Sequence, residues 1–358
     1  MTPPIRVLVV DDSVVIRRLL STIIDEDPDL EVAGIAQNGR IGLERIEALK
    51  PDIVTLDVEM PELDGLQTLK ELRKTNMTIP VVMFSTLTER GATATLDALS
   101  FGASDYVAKP ANVGSVTVAM ERVREDLIPK LKALVSRGSA RTPAVPVAPV
   151  TRSIRATERT DVLAIGSSTG GPNALATVLE SLPGNLGVPV VVTQHMPPVF
   201  TKFLAQRLDG NCELTVHEGE PGMRVEPNHV YIAPGDFHMT LRRRGLHVQL
   251  ETNQDDQVNF CRPSVDVMFD AVAGVYGGNV LSVILTGMGA DGRDGCKVLR
   301  ELGSHVIVQD EATSVVWGMP GAVATAGLAD EVLGISTIAA AIARRIDLTR
   351  SPLVQRTA

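Results

Sequence analysis

Cysteine is scarce in this 358-residue chain, with Cys212, Cys261 and Cys296 the whole complement. An odd number with no CxxC-type spacing excludes a disulfide framework and a sequence-local zinc site, so all three read as reduced structural thiols. Positive charge is also short. Lys and Arg number 34 against 43 Asp and Glu, a formal net charge of -9, and a chain without a concentrated basic face is not built to hold nucleic acid. No run of roughly eighteen apolar residues occurs, which argues against a membrane-spanning helix. The start, MTPPIRVLVVDD, leads directly into a strand without a signal-peptide pattern. A cytoplasmic protein with no membrane insertion is expected.

What is present is ordinary folded-protein composition, 44% hydrophobic and 22% charged, on a chain long enough for two cores. Residues 1–130 alternate apolar runs (IRVLVV, LEVAGIA, DIVTLDV, IPVVMFS, SDYVAKP) with amphipathic helical stretches. Continuous Val/Ile/Leu runs separated by single helices predict a doubly wound parallel sheet. Residues 131–159 are rich in Pro, Ala and Arg and read as a linker. A second α/β pattern fills residues 160–348, with a strand-rich middle (LTVHEGEP, NHVYIAPGD, HMTLRRRGLHVQLE) that predicts antiparallel hairpins inserted in or edging a mostly parallel sheet. The run Arg242 to Arg244 beside a Gly reads as a solvated hairpin tip.

Function in open α/β sheets collects at the carboxyl ends of strands. The first domain places Asp11, Asp12, Asp57, Ser85 and Lys109 at such ends. Three converging carboxylates repel unless a cation sits among them, and an all-oxygen set suits Mg²⁺. The chemistry indicated is phosphoryl transfer to a carboxylate, with Lys109 and the Ser85 hydroxyl on the transferred oxygens.

In the second domain, GSSTGG at 166–171 fits G-x-S-x-G at Ser168, between a strand and a helix. The loop lacks the lysine of a P-loop and the second glycine of a dinucleotide fingerprint, so a nucleophile turn and a plain helix entry compete, with a phosphate cradle the weaker third reading. A nucleophile would have the Thr169 backbone N–H beside it for an oxyanion. Of the six histidines, His195 ends the second strand of this domain and so shares an edge with Ser168, whereas His305 opens a strand at the opposite edge. Asp291 follows a later strand and suits the orienting acid, with Asp310 second.

VVDDS, TLDVEMPELDG, MFST and YVAKP resemble the response-regulator receiver family, a flavodoxin-like (βα)₅ fold. The resemblance implies that Asp57 accepts a phosphoryl group from a histidine kinase of the CheA type. It also implies Mg²⁺ on Asp12, Asp57 and the backbone carbonyl of Glu59, Asp11 in the outer shell, and switch roles for Ser85 and Lys109. SSTGGP, TQHMPPVFT, YIAPGDFHM, RPSVDVMF, LTGMGADG and SVVWGMPGAV resemble the CheB family of chemotaxis protein-glutamate methylesterases. That likeness implies hydrolysis of glutamyl γ-methyl esters on chemoreceptors, and deamidation of receptor glutamines, by Ser168, His195 and Asp291. It places Met288 beside the oxyanion pocket, needs no cofactor in this domain, and implies a monomer whose unphosphorylated receiver covers the esterase cleft. Ser167 stands where many members of the family carry alanine, and no role attaches to it.

Overall fold

A computed structural model describes residues 3–75, 78–110, 116–139 and 159–350. The chain divides into two compact units, Met1–Ala144 and Val145–Ala358.

In the first unit, strands β1 (Ile5–Val10), β2 (Leu30–Ala36), β3 (Ile53–Asp57), β4 (Val81–Ser85) and β5 (Asp105–Ala108) form a parallel sheet in the order β2-β1-β3-β4-β5. Helices α1 (Val14–Asp25), α2 (Gly39–Leu49), α3 (Gly65–Lys74) and α4 (Glu89–Ser100) are the crossovers, and α5 (Val116–Ser139) follows β5. The apolar runs are continuous because the central strands are covered on both faces: Val7 to Val10, Ile53, Val54, Leu56 and Val81 to Phe84 are all buried. Each such side chain contributes about 1.5–3 kcal/mol on burial. Each crossover starts with a short polar residue that accepts an otherwise unpaired helix N–H: Ser13, Asn38, Asp64 and Thr88. Strand order reverses between β1 and β3, which opens a crevice at their carboxyl ends.

Helix α5 runs past residue 130, so residues 131–139, expected as the start of the linker, are helical instead. Leu131 and Leu134 are buried and Lys132 pairs with Asp27 and Asp29, contacts that keep the amphipathic pattern going where composition alone suggested a break. Residues 140–158 of the expected linker lie outside the described residues.

The second unit is built on seven strands: β6 (Val162–Ser167), β7 (Val190–Gln194), β8 (Thr215–Glu218), β9 (His229–Ile232), β12 (Val280–Ile284), β13 (His305–Gln309) and β14 (Glu331–Leu333). They lie in the order β14-β13-β12-β6-β7-β9-β8, and every pairing is parallel. The expected hairpins are therefore corrected in part. Among the strands of the described residues, β10 (His238–Arg244) and β11 (His247–Asn253) alone pair antiparallel, as a separate two-stranded ribbon. LTVHEGEP and NHVYIAPGD become β8 and β9, parallel neighbours in the main sheet, because the segment between them crosses over rather than turning back. At the ribbon tip, Arg242 and Arg244 pair with Glu251 on the exposed surface, as a solvated tip should.

Helices α6 (Gly171–Leu179), α7 (Phe200–Asp209), α8 (Val265–Tyr276) and α9 (Arg293–Glu301) connect or flank these strands. The α8 residues Val265, Met268, Phe269 and Val272 share a core with Val162, Ala164, Ile284 and Val308. The chain lays β6 first, moves outward to β7 and β9, then returns by α8 to place β12 on the other side of β6. Strand direction of travel thus switches between β6 and β12, and the central strands β12, β6 and β7 are consecutive neighbours. Among the described residues no helix is long and apolar enough to cross a membrane.

Candidate functional site

The first unit gathers charge at the β1/β3 crevice. Asp11 and Asp57 are buried, Asp12 is exposed, and carboxylate oxygens of the three lie within 4.8 Å of one another. Lys109, just past β5, reaches in with its Nζ 3.0 Å from Asp11 Oδ2 and 2.8 Å from Asp57 Oδ1. The backbone N–H of Glu59 donates to Asp57 Oδ1 at 3.3 Å, and that of Ser13 to Asp11 Oδ1 at 2.8 Å. Burial pushes the Asp57 carboxyl up to about 6; the Lys109 ammonium opposes the rise and the Asp11 charge adds to it. Burial also raises Asp11. Asp11 Oδ2 is buried with the Lys109 ammonium as its one close partner among the described residues. A buried, acceptor-only oxygen among three carboxylates fits a small hard cation such as Mg²⁺. Ser85 is at the end of β4 as expected, yet its hydroxyl donates to the Gly91 carbonyl at 3.1 Å and does not engage Asp57.

The second unit places three expected residues on three adjacent strands. Ser168 follows β6, His195 follows β7, and Asp291 sits in the loop from β12 to α9. Backbone bonds tie these loops together: Ser168 N–H donates to Thr286 O at 3.0 Å, and His195 N–H to Ser167 O at 3.1 Å. Gly170 at φ +75° turns the chain into α6 in a backbone region that L side chains avoid. Gly287 lets the Asp291 loop pass close by, since a Cβ there would lie 2.9 Å from Ser168 Cβ.

His195 Nε2 lies 2.8 Å from Asp291 Oδ2. Asp291 is ionised by its surroundings as well as by His195. Its Oδ2 also accepts from the Val265 N–H at 2.7 Å, and its Oδ1 from Ser264 Oγ and Asn259 Nδ2, each at 2.9 Å, and from the Asp266 N–H at 3.2 Å. Val265 and Asp266 open α8, so the carboxylate faces the positive end of that helix. Burial opposes the charge, but the His195 bond and these donors hold the Asp291 carboxyl well below its ordinary value. Burial likewise disfavours imidazolium at His195. The Asp291 hydrogen bond and then the Cys261 sulfur outweigh it and push His195 up to about 10. In the neutral imidazole, Nε2–H donates to the ionised Asp291, which leaves the lone pair on Nδ1.

Ser168 itself is half-buried, and among the described residues nothing pairs with its hydroxyl. Thr169 is buried, and its backbone N–H has no acceptor among the described residues. Met288 is half-buried in the same loop as Asp291. Asp310, the second choice for the acid, caps the turn at Thr313 and has no part in this cluster.

Five participants, Ser264 on Asp291 among them, were given no part in the site from the sequence. Gln194 and Ser167 form a buried clip: Ser167 Oγ donates to Gln194 Oε1 at 2.7 Å, while Gln194 Nε2 donates to the carbonyls of Ser168 at 3.0 Å and His195 at 3.1 Å. Asn259 bridges Asp291 and Asp266. Cys261, read as structural, has its sulfur 3.5 Å from His195 Nδ1.

The CheB methylesterase family profile matches residues 163–342, and the response regulator receiver domain profile matches residues 7–121. A protein-glutamate methylesterase/protein-glutamine glutaminase of Nocardioides sp. is 51% identical, with 98% of each chain covered. One of the same description from Trichodesmium erythraeum is 48% identical over 96% of this chain and 99% of its own. The solved catalytic domain of Thermotoga maritima CheB methylesterase is similar at 45% identity and TM-score 0.51, covering 52% of this chain and 98% of that one.

Proposed function

The chain belongs to the CheB methylesterase family and carries a response regulator receiver domain, and from this premise we propose that it hydrolyses glutamyl γ-methyl esters, and deamidates glutamines, on methyl-accepting chemoreceptors under phosphorylation control. The observation that carries the reading is the 2.8 Å His195–Asp291 pair on the strands flanking the Ser168 loop.

In this mechanism Ser168 Oγ attacks the ester carbonyl while the neutral form of His195 takes its proton at Nδ1, because Nε2 is committed to Asp291. The Thr169 N–H, at the entry to α6, stabilises the tetrahedral oxyanion, with Met288 bordering the pocket. Collapse releases methanol and leaves an acyl-enzyme. Water, deprotonated by the same nitrogen, then frees the glutamate and Ser168. A glutamine follows the same course with ammonia as leaving group.

In the receiver, Asp57 is the phospho-acceptor, served by a histidine kinase of the CheA type. Asp12, Asp57 and the Glu59 carbonyl would hold Mg²⁺ with Asp11 outside them, and the ion when bound neutralises charge on the phosphoryl oxygens. Lys109 pairs with one phosphoryl oxygen, and Ser85 rotates from Gly91 to donate to another. The protein works in the cytoplasm as a monomer.

The test is mass spectrometry of methylated receptor incubated with the purified full chain. Each hydrolysed site loses a methylene's mass and releases one methanol. A receptor whose methyl groups survive unchanged, with no methanol formed, would contradict the proposal.

A further inference from the structure

Cys261 is delivered to His195 by a tight two-residue turn. Val258 and Cys261 exchange both backbone hydrogen bonds, at 3.2 and 2.9 Å, and the two residues between them, Asn259 and Phe260, lie in the left-handed region at φ +54° and +61°. That region suits Asn but costs a residue like Phe about 1–2 kcal/mol. The turn is held where it is by Asn259, whose amide donates to both Asp266 and Asp291. The result is a half-buried thiol 3.5 Å from the imidazole nitrogen that Asp291 does not use.

We propose that His195 Nδ1 and Cys261 Sγ form an inhibitory site for a thiophilic divalent cation of the Zn²⁺ class. This rests on the esterase reading for its consequence, though not for the site itself. The spacing fits the ion. Zn–S of about 2.3 Å and Zn–N of about 2.1 Å at a tetrahedral angle put the two ligand atoms about 3.6 Å apart, against 3.5 Å here. Asp291 on the distal nitrogen supplies the carboxylate partner that fixes the tautomer and orients a metal-bound imidazole. Ligand atoms of His195, Cys261 and Asp291 all lie within 4.8 Å of one another. On binding, the ion takes Nδ1 and the Cys261 sulfur, and the thiol proton together with the Nδ1 proton of the imidazolium leaves to solvent. Water completes the coordination. The base that should accept the Ser168 proton is then occupied, and the acylation step stops.

Cobalt is the direct probe, because a sulfur-to-Co²⁺ charge-transfer band in the near ultraviolet reports a thiolate ligand and does not arise from the carboxylates of the receiver. Full-length wild type titrated with Co²⁺ should develop this band to one equivalent. Cys261→Ser should lose it, and Cys212→Ser, altered at a thiol outside the His195 cluster, should keep it. In parallel, each protein's methanol release is divided by its own rate without metal. Zn²⁺ should suppress the wild-type ratio reversibly, with a chelator restoring it, and Cys261→Ser should need about tenfold more Zn²⁺ or beyond. A missing band in wild type, a band that persists in Cys261→Ser, or equal Zn²⁺ inhibition of the two would overturn the site. A wild type that releases no methanol even without metal would instead sink the esterase reading, and the cobalt band would still decide whether the cation binds.

Discussion

Two serines sit side by side at 167 and 168, and their surroundings give them different work. Ser167 is fully buried and its hydroxyl is spent on Gln194, whose amide in turn fixes the carbonyls of Ser168 and His195. Ser167→Ala strands the Gln194 oxygen in a buried site, so it should destabilise the catalytic unit by about 1–3 kcal/mol. Urea unfolding measures this, and an unchanged midpoint would show that the clip contributes nothing. His195 offers a second check. Its folded pKa is near 10 against an ordinary 6.5, so its pair with Asp291 contributes fully below the ordinary value and fades as pH rises through the folded one. Asp291→Asn removes the carboxylate that sustains the rise. The imidazole titration followed by NMR should move down toward neutral pH, and wild type should lose stability relative to Asp291→Asn only on the alkaline side. An unmoved His195 midpoint would contradict the assigned cause.

At the scale of elements, Asp291 serves α8 as much as it serves His195. Ser264 stands at the N-cap position of that helix but does not cap it with its side chain. Its hydroxyl donates to Asp291, and Asp291 accepts the first two helix N–H groups in place of a local cap. Asp291→Ala should therefore speed amide hydrogen exchange at Val265 and Asp266, while the amides of α6, which has no such link, stay protected; uniform exchange across both helices would refute the coupling. This arrangement explains what the sequence could reveal. The convergence of the Ser168, His195 and Asp291 loops was legible because each follows a strand, and the strand ends of a parallel sheet share one edge. Asn259, Ser264 and Cys261 were not, because nothing local marks them. Cys261 lies 66 positions from His195 and meets it only through a turn whose left-handed Phe260 runs against propensity. β8 and β9 misread for a related reason: short alternating strands look alike whether the segment between them turns back or crosses over.

Across the whole molecule, the two units repeat one physical solution. Each is a parallel sheet whose strand order reverses beside its first strand, at β1/β3 in one and β6/β12 in the other, and each collects its reactive groups there. The first switch point concentrates buried acid around Lys109. The second sets a serine loop between the strands that lead to His195 and Asp291. Linking the two is the functional claim, that acyl chemistry at Ser168 runs faster when Asp57 is phosphorylated. The decisive measurement is methanol release from methylated receptor by the full chain, with and without beryllofluoride, in wild type, Asp57→Ala and Ser168→Ala. Wild type should release methanol and accelerate with beryllofluoride, Asp57→Ala should release it without responding, and Ser168→Ala should stay at background in both conditions. Wild-type rates from Ser168→Ala would contradict the account at its centre.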